Sequence, residues 1–174
     1  MLDVWLWGTP NSQRVSILLE ELEVPYRVHA VDIRKGEHRA PTILALNPYG
    51  KIPILRDDTT DPPLVLFESG AILLHLAERH GCLLPPPGPA RGETLAWLMV
   101  GLTGLGPYTG QAHHWTALAP TRPPVAIAHH VALVERIYRV LDARLEGRTW
   151  LAGAWSIADI AAFPWVTRAA WATL

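Results

Sequence analysis

The beginning of the chain contains a strand, a helix and a second strand in immediate succession. Residues 4–7 form a short apolar run typical of a buried strand, and a Gly-Thr-Pro-Asn turn follows at residues 8–11. The turn is followed by apolar side chains at helical spacing, namely Val15, Leu18, Leu19 and Leu22. Residues 26–30 favour a second strand. Strands joined through a helix lie parallel with a right-handed crossover, so this stretch predicts a β-α-β unit.

Two further strands and a helix are predicted before residue 82. Residues 52–55 and 64–67 are apolar, and the polar segment between them suits only a hairpin-type connection, so we expect an antiparallel pair. Ser69 is expected to cap a helix that runs to about His80. The predicted order of elements is therefore β-α-β followed by β-β-α.

A proline-rich segment follows this first half. Residues 85–89 read Pro-Pro-Pro-Gly-Pro, and because proline lacks a backbone N–H, we expect an extended connection there. We predict one domain over residues 1–81, a linker over 82–91 and a helical domain over 92–174. The fold class is therefore α/β plus all-α.

The predicted helical domain contains three helices. The first is expected over residues 93–105 and a long one over residues 125–145, with a break between them that begins at Gly104, Gly106 and Pro107. Ser156 and Asp159 form a capping box, which predicts the start of another helix and gives both residues a structural role.

Composition and charge exclude several kinds of partner. The 15 basic and 16 acidic residues include no long basic run, so we expect no nucleic-acid partner. No apolar stretch has bilayer length and no signal-peptide pattern is visible, so we expect a cytoplasmic protein with no membrane partner. Cys82 is the single cysteine, and any redox chemistry must therefore use the sulfur of a ligand.

Two segments offer backbone and charged groups to a ligand. Ser69 and the free N–H groups at the start of the predicted helix suit a carboxylate, while Glu68 suits an ammonium group. The alternative is that Ser69 only caps the helix and Glu68 only complements its dipole. Pro53 is a candidate cis-proline that would turn the N–H and C=O of Ile52 towards an extended peptide; a trans proline at an edge strand is the alternative.

Five motifs in this order and spacing resemble the glutathione transferase superfamily, and most closely its bacterial nu class of glutathione-dependent disulfide-bond oxidoreductases. The motifs are Trp-Gly-Thr-Pro-Asn at 7–11, Asn-Pro-Tyr-Gly-Lys-Ile-Pro at 47–53, Leu-Phe-Glu-Ser-Gly at 66–70, Gly-Pro-Tyr-Thr-Gly-Gln-Ala-His-His at 106–114 and Ser-Ile-Ala-Asp at 156–159. The resemblance implies a thioredoxin-like N-terminal domain, a helical C-terminal domain and a cis bond before Pro53.

The resemblance also implies bound glutathione as co-substrate and assigns its thiolate to Thr9 and Asn11. Neither side chain is a strong base, so both would donate hydrogen bonds to the sulfur. The alternative reading makes Asn11 a helix cap and Thr9 a turn residue. Because nu-class members use no protein thiol, the implied reaction is reduction of a small disulfide by glutathione. Peroxide reduction or conjugation to an electrophile remains open, as does a non-catalytic binding or regulatory role on the same fold.

The chain departs from the nu class at two implied glutathione contacts. His38 stands where nu-class members carry Gln, and His129 stands where they carry Arg, so a fixed positive charge is lost at neutral pH. Lys51 is expected to compensate, and it joins the implied glutathione contacts Asn11, His38, Ile52, Pro53, Glu68, Ser69 and His129.

Remaining expectations concern the second domain and the assembly. Gln111 and His114 are candidates for lining a second-domain pocket, with surface packing as the alternative. The pairs His113-His114 and His129-His130 do not favour a metal, because adjacent helical residues point apart. Family members usually continue further and form homodimers, so we expect an incomplete helical domain and a homodimer.

Overall fold

The computed structural model describes residues 1–174 as two compact units, Met1–Cys82 and Leu83–Leu174. The first unit contains a four-stranded sheet with strand order β2-β1-β3-β4. Its strands are β1 (Leu2–Leu6), β2 (Tyr26–Ala30), β3 (Ile54–Asp57) and β4 (Leu64–Phe67). Strand β1 is parallel to β2 and antiparallel to β3, and β3 is antiparallel to β4. The predicted β-α-β and β-β-α order is confirmed.

Three α-helices belong to this unit, namely α1 (Pro10–Glu21), α2 (Pro41–Leu44) and α3 (Ser69–His80). Helices α1 and α3 pack against each other, and α3 also contacts β3 and β4. Their apolar stripes are wholly buried, as the helical spacing of residues such as Leu18 and Leu76 predicts. The two helices therefore carry the larger part of the core.

The other face of the sheet is covered by a smaller cluster around α2. Val31, Ile43 and Ile54 form its buried centre, and Trp5 packs against them. Because side chains alternate along a strand, Leu55 points away from this cluster, and it is likewise fully buried. Both faces of β3 are thus covered at its start, which explains why Ile54 and Leu55 are consecutive apolar residues.

Strand β3 begins later than its apolar sequence predicts. We expected it at residue 52, whereas the ladder with β1 begins at Ile54, which pairs with Trp5. Pro53 has no N–H to give to a ladder, so the strand begins directly after it. Ile52 is consequently left outside the sheet.

The second unit is helical. Its helices are α4 (Pro89–Met99), α5 (Gly106–His113), α6 (Pro124–Leu145) and α7 (Ile157–Val166). Helix α4 begins at Pro89, so the end of the predicted linker is helical. A proline in the first turn of a helix needs no N–H partner, which accounts for the early start. None of the helices in either unit is long and apolar enough to cross a membrane.

The predicted break around Gly104 to Pro107 is wrong. Residues Val100–Leu105 form π-helical turns that lead directly into α5. Pro107 therefore lies within a continuous helix, and the wider π-helical turns directly before it accommodate its ring and its missing N–H. The chain remains helical until a second π-helical turn, His114–Leu118.

The capping box at α7 forms as expected. The Ser156 hydroxyl accepts a hydrogen bond from the Ala158 N–H, and the Asp159 carboxylate accepts one from the Ser156 N–H at 3.1 Å. Asp159 also accepts a hydrogen bond from the Leu151 N–H at 2.8 Å. Both side chains satisfy backbone donors, which supports their structural role.

A fully buried carboxylate, Asp57, ties the end of β3 to α3. Its oxygens accept hydrogen bonds from the Thr59 N–H at 2.9 Å and from His75 Nε2 at 3.0 Å, and the Arg79 guanidinium lies 3.5 Å away. Burial alone would raise the pKa of Asp57, but the hydrogen bonds from Thr59 and His75 and the charge of Arg79 outweigh it and lower the pKa to about 2.

This lowered pKa predicts acid-sensitive stability. Because the folded-state pKa lies below the ordinary value of about 3.9, the stabilisation is complete at neutral pH and is lost as the pH falls towards 2, by about 2 to 3 kcal/mol. Asp57→Asn should lower the free energy of unfolding at pH 7 and flatten its pH dependence in this range, as measured by urea denaturation. Asp58→Asn, which changes an exposed neighbouring carboxylate, is the matched control. Equal pH dependence in wild type and Asp57→Asn would contradict the assignment.

Candidate functional site

The N-terminus of α1 is capped by Thr9. Its Oγ1 accepts a hydrogen bond from the Ser12 N–H at 3.3 Å, and its hydroxyl donates to Ser12 Oγ at 3.0 Å. Ser12 Oγ also accepts a hydrogen bond from the Trp7 N–H at 3.3 Å. The cap therefore lies at Thr9 and not at Asn11, the residue that the alternative interpretation of the sequence made the cap.

Asn11 lies in the first turn of α1 and is held by a buried arginine. Arg14 Nη1 donates to Asn11 Oδ1 at 2.9 Å and to Ser69 Oγ at 3.2 Å. Arg14 is only 2% exposed. Burial lowers its pKa to about 10, while the charge of Glu68 opposes that shift, so the guanidinium stays protonated at neutral pH. The structure thus brings Asn11 and Ser69 together through one cation.

Arg14 is the residue of this group that the sequence motifs did not indicate. The available signal was its spacing, because Arg14 and Leu18 lie four residues apart on the same helical face. A charged residue within the apolar stripe of a helix needs a buried partner. That rule could have selected Arg14, although it could not have named Ser69 as the partner.

Glu68 and Ser69 lie at the junction of β4 and α3. The prediction that Ser69 caps the helix is wrong: Glu68 occupies the cap position and Ser69 is the first helical residue. Ser69 is 4% exposed and its hydroxyl oxygen accepts the hydrogen bond from Arg14. Glu68 is exposed and has φ 73° and ψ 115°, a backbone conformation that a residue with a Cβ rarely adopts. Such strain is typical of functional sites.

A tight loop precedes β3. Asn47 is 1% exposed, and its carboxamide donates to the Lys51 carbonyl at 2.8 Å and accepts from the Tyr49 N–H at 3.0 Å. The Ile52–Pro53 peptide bond is cis, as the family resemblance implied. The Ile52 N–H and C=O form no backbone hydrogen bond with the rest of the protein. The Lys51 side chain is exposed, with its ammonium 5.4 Å from the centre of the Tyr49 ring.

His38 lies beside this loop. Gly50 has φ 63°, and a Cβ added there would lie 3.6 Å from the His38 carbonyl oxygen and 3.2 Å from Leu44 Cδ2. This close packing places His38 in the same neighbourhood as Lys51. The His38 Nδ1 atom is buried and has no hydrogen-bond partner within the protein, which is unusual for a buried polar atom.

The three remaining predicted site residues belong to the second unit. Gln111 lies on α5, His114 begins the second π-helical turn and His129 lies on α6, and all three are exposed. A row of ring contacts links His114 to His129 by way of Trp115 and His130, with centroid distances of 5.0, 6.3 and 5.2 Å. No group of three or more metal-ligating side chains is arranged to hold a metal ion.

Comparison with family models matches both units. Residues 9–79 match the model for the N-terminal domain of glutathione S-transferase, and residues 124–173 match the model for its C-terminal domain. The two matched segments include Thr9, Asn11, Arg14, Ser69 and His129.

Individual relatives are similar over nearly the whole chain. The disulfide-bond oxidoreductase YfcG of Escherichia coli (strain K12) is 44% identical over 170 residues, which cover 95% of this chain and 79% of the relative. The disulfide-bond oxidoreductase YghU of the same organism is 38% identical, covering 94% of this chain but only 59% of its own length. A solved glutathione transferase from Pseudomonas putida, with one glutathione disulfide bound per subunit, has a TM-score of 0.91 at 40% identity and covers 95% of this chain and 74% of its own.

Replacing glutamate by glycine should have opposite effects on stability at Glu68, directly before α3, and at Glu78, inside α3. Glu68→Gly should raise the free energy of unfolding by about 1 kcal/mol, because glycine removes the strain and loses only part of that gain to unfolded-state entropy. Glu78→Gly, inside the same helix, should lower it by about 1 kcal/mol. Urea denaturation of both variants measures the two values. Equal destabilisation by both substitutions would show that Glu68 is not strained.

Proposed function

This chain belongs to the glutathione S-transferase family, and from that membership we propose that it is a glutathione-dependent thiol-disulfide oxidoreductase. The observation that carries the proposal is the meeting of Asn11 and Ser69 on the buried guanidinium of Arg14. The sequence assigned Asn11 to the thiol of one ligand and Ser69 to the γ-glutamyl carboxylate of the same ligand. Their common partner makes them parts of a single site within the first unit.

The γ-glutamyl end of glutathione binds at the start of α3. The first N–H groups of the helix and the Ser69 hydroxyl bind its α-carboxylate, which the positive end of the helix dipole also favours. Glu68 is exposed beside them and accepts its ammonium group. Both charges of the ligand's amino-acid end are therefore matched by neighbouring residues.

The backbone of the ligand pairs with Ile52. Because β3 begins at Ile54, the N–H and C=O of Ile52 lie outside the ladder and form no backbone hydrogen bond within the protein. Such groups bind an extended peptide as an added strand would. Pro53, which is buried, supports Ile52 in this position.

Asn11 and Thr9 stabilise the thiolate. Lowering a thiol pKa from about 8.5 by two units requires about 2.7 kcal/mol, which one or two hydrogen bonds to a charged acceptor supply. The Thr9 hydroxyl also bonds with Ser12 and caps the helix. We therefore assign the larger contribution to the Asn11 carboxamide and the smaller one to Thr9.

The reaction proceeds in two thiol-disulfide exchanges. The bound glutathione thiolate attacks one sulfur of the substrate disulfide, which forms a mixed disulfide and releases one substrate thiolate. A second glutathione thiolate then attacks the glutathione sulfur of the mixed disulfide and releases the other substrate thiolate. Two glutathiones are oxidised to glutathione disulfide, the substrate is reduced to two thiols, and the two protons come from the two glutathione thiols. The similarity to YfcG and YghU, which are named disulfide-bond oxidoreductases, supports this class of reaction.

His38 and Lys51 are proposed to bind the glycyl end of glutathione. The half-buried imidazole of His38 and the exposed Lys51 ammonium lie on neighbouring segments, and both groups suit a carboxylate. His129 is proposed as a further glutathione contact, and Gln111 and His114 as residues of a second-unit pocket. Support for these three comes from the family resemblance.

A homodimer in the cytoplasm is proposed as the working form. Val65 and Phe67 on β4, the edge strand of the sheet, are 37% and 38% exposed, and apolar side chains at a sheet edge favour association with a second copy. The one cysteine, Cys82, is exposed and unpaired, which fits a reducing compartment.

The thiolate assignment predicts the effects of two substitutions. With glutathione and hydroxyethyl disulfide, Asn11→Ala should lower kcat/KM by roughly tenfold or more, because a hydrogen bond to the charged sulfur is lost. Thr9→Ala should lower it less and should destabilise the protein by about 1 kcal/mol through loss of the cap. Ser16→Ala, which removes another hydroxyl of α1, is the control and should leave the rate unchanged.

Two outcomes would count against the proposal. Unchanged rates in Thr9→Ala and Asn11→Ala would show that the thiolate is stabilised elsewhere. If the wild-type protein binds glutathione but accelerates reaction with no disulfide, peroxide or electrophile, it is a non-catalytic binding protein.

A further inference from the structure

We propose that Arg14 is a positioning residue that turns Asn11 towards the glutathione sulfur and Ser69 towards the γ-glutamyl carboxylate. One side chain thus orients both of these ligand contacts. This role deepens the proposed function and rests on it. Arg14 itself touches neither group of the ligand in this scheme; it acts through the two side chains to which it donates hydrogen bonds.

Arg14 fixes the orientation of the Asn11 carboxamide because arginine has no hydrogen-bond acceptor. A guanidinium has only donors, so the side of the Asn11 carboxamide that faces Arg14 must be its oxygen. The 2.9 Å hydrogen bond from Nη1 to Oδ1 meets that requirement. A thiolate accepts hydrogen bonds and donates none, so it needs the amide nitrogen of Asn11. By holding Asn11 Oδ1, Arg14 selects the orientation in which the amide nitrogen of Asn11 points away from Arg14.

Arg14 fixes the direction of the Ser69 hydroxyl proton in the same way. A serine hydroxyl has one proton to donate and can accept hydrogen bonds on its oxygen. Because Ser69 Oγ accepts the 3.2 Å hydrogen bond from Arg14, its own proton is directed elsewhere. A ligand carboxylate accepts hydrogen bonds only, so this polarity of the hydroxyl is the one that it requires.

The two contacts use the same nitrogen. Nη1 of Arg14 carries two hydrogens, and one points to Asn11 and the other to Ser69. A lysine in this position would keep a positive charge, but its flexible ammonium does not reproduce the rigid planar fork. With Arg14 2% exposed, water does not readily replace either contact when the side chain is changed.

Arg14→Met tests the role, because methionine keeps the length of the apolar stem and removes both donors. The bound glutathione thiol should titrate about one unit higher than in wild type, seen as roughly threefold less thiolate absorbance at neutral pH. S-methylglutathione, which has no thiol and reports on the carboxylate end, should bind roughly tenfold more weakly by calorimetry. Arg27→Met on β2, where the side chain is 62% exposed, is the matched control. It should change neither value.

Further variants separate positioning from charge and from folding. In the Asn11→Ala background, Arg14→Met should no longer change the thiol pKa but should still weaken S-methylglutathione binding, because the route through Asn11 is already gone. Arg14→Lys should raise the thiol pKa nearly as much as Arg14→Met, and it serves as the test if Arg14→Met does not fold by circular dichroism. A wild-type thiol pKa in Arg14→Lys, or equal effects of Arg14→Met in both backgrounds, would overturn the positioning role.

The same measurements separate this inference from the proposed function. Failure of the wild-type protein to bind glutathione would overturn the proposed function itself. A wild-type protein that binds glutathione and lowers its thiol pKa, with unchanged values in Arg14→Met and Arg14→Lys, would overturn the role of Arg14 alone.

Discussion

The packing of α1 against α3 is the contact on which the candidate site depends. Each helix buries an apolar stripe, and their association brings the first turn of α1 next to the first residue of α3. Arg14 bridges that junction, with its donors directed to Asn11 and Ser69. Hydrophobic burial therefore supplies the position, while a single buried cation supplies the orientation of the polar groups. The arrangement of the polar groups at the candidate site therefore depends on a helix contact made by apolar side chains.

The opposite side of the site is built by loops rather than helices. Asn47 closes the loop before β3 through hydrogen bonds to the backbone at Tyr49 and Lys51. The close approach at Gly50 brings the segment of His38 against this loop. Both sides of the candidate site are thus held by buried side chains, namely Arg14 and Asn47, that no sequence motif assigns to the ligand. These supporting residues hold the exposed groups in place.

Much of the fold follows from local sequence patterns. Apolar periodicity predicts the strands and helices of the first unit, and the capping box predicts the start of α7. The patterns fail where proline changes the backbone, as at the start of β3 and at the helical passage through Pro107. Residue-by-residue resemblance selects Asn11, Glu68 and Ser69. It does not reveal the pairing of Arg14 with Ser69. The position of Arg14 on an apolar helix face indicates a buried partner, but the identity of that partner is a tertiary contact that no local pattern encodes.

The buried carboxylate of Asp57 restricts how the first unit can be redesigned. Thr59, His75 and Arg79 all direct polar groups at it, and two of these residues lie on the same helix that begins at Ser69. Replacing Asp57 alone leaves the donors around it without an acceptor. Replacing Asp57 and these donors together by apolar residues leaves no unsatisfied donor. A graft of β3 or of α3 from another protein must therefore transfer these positions as one block. A chimera that divides them places an unmatched charge beneath the helix whose other end is proposed to bind glutathione.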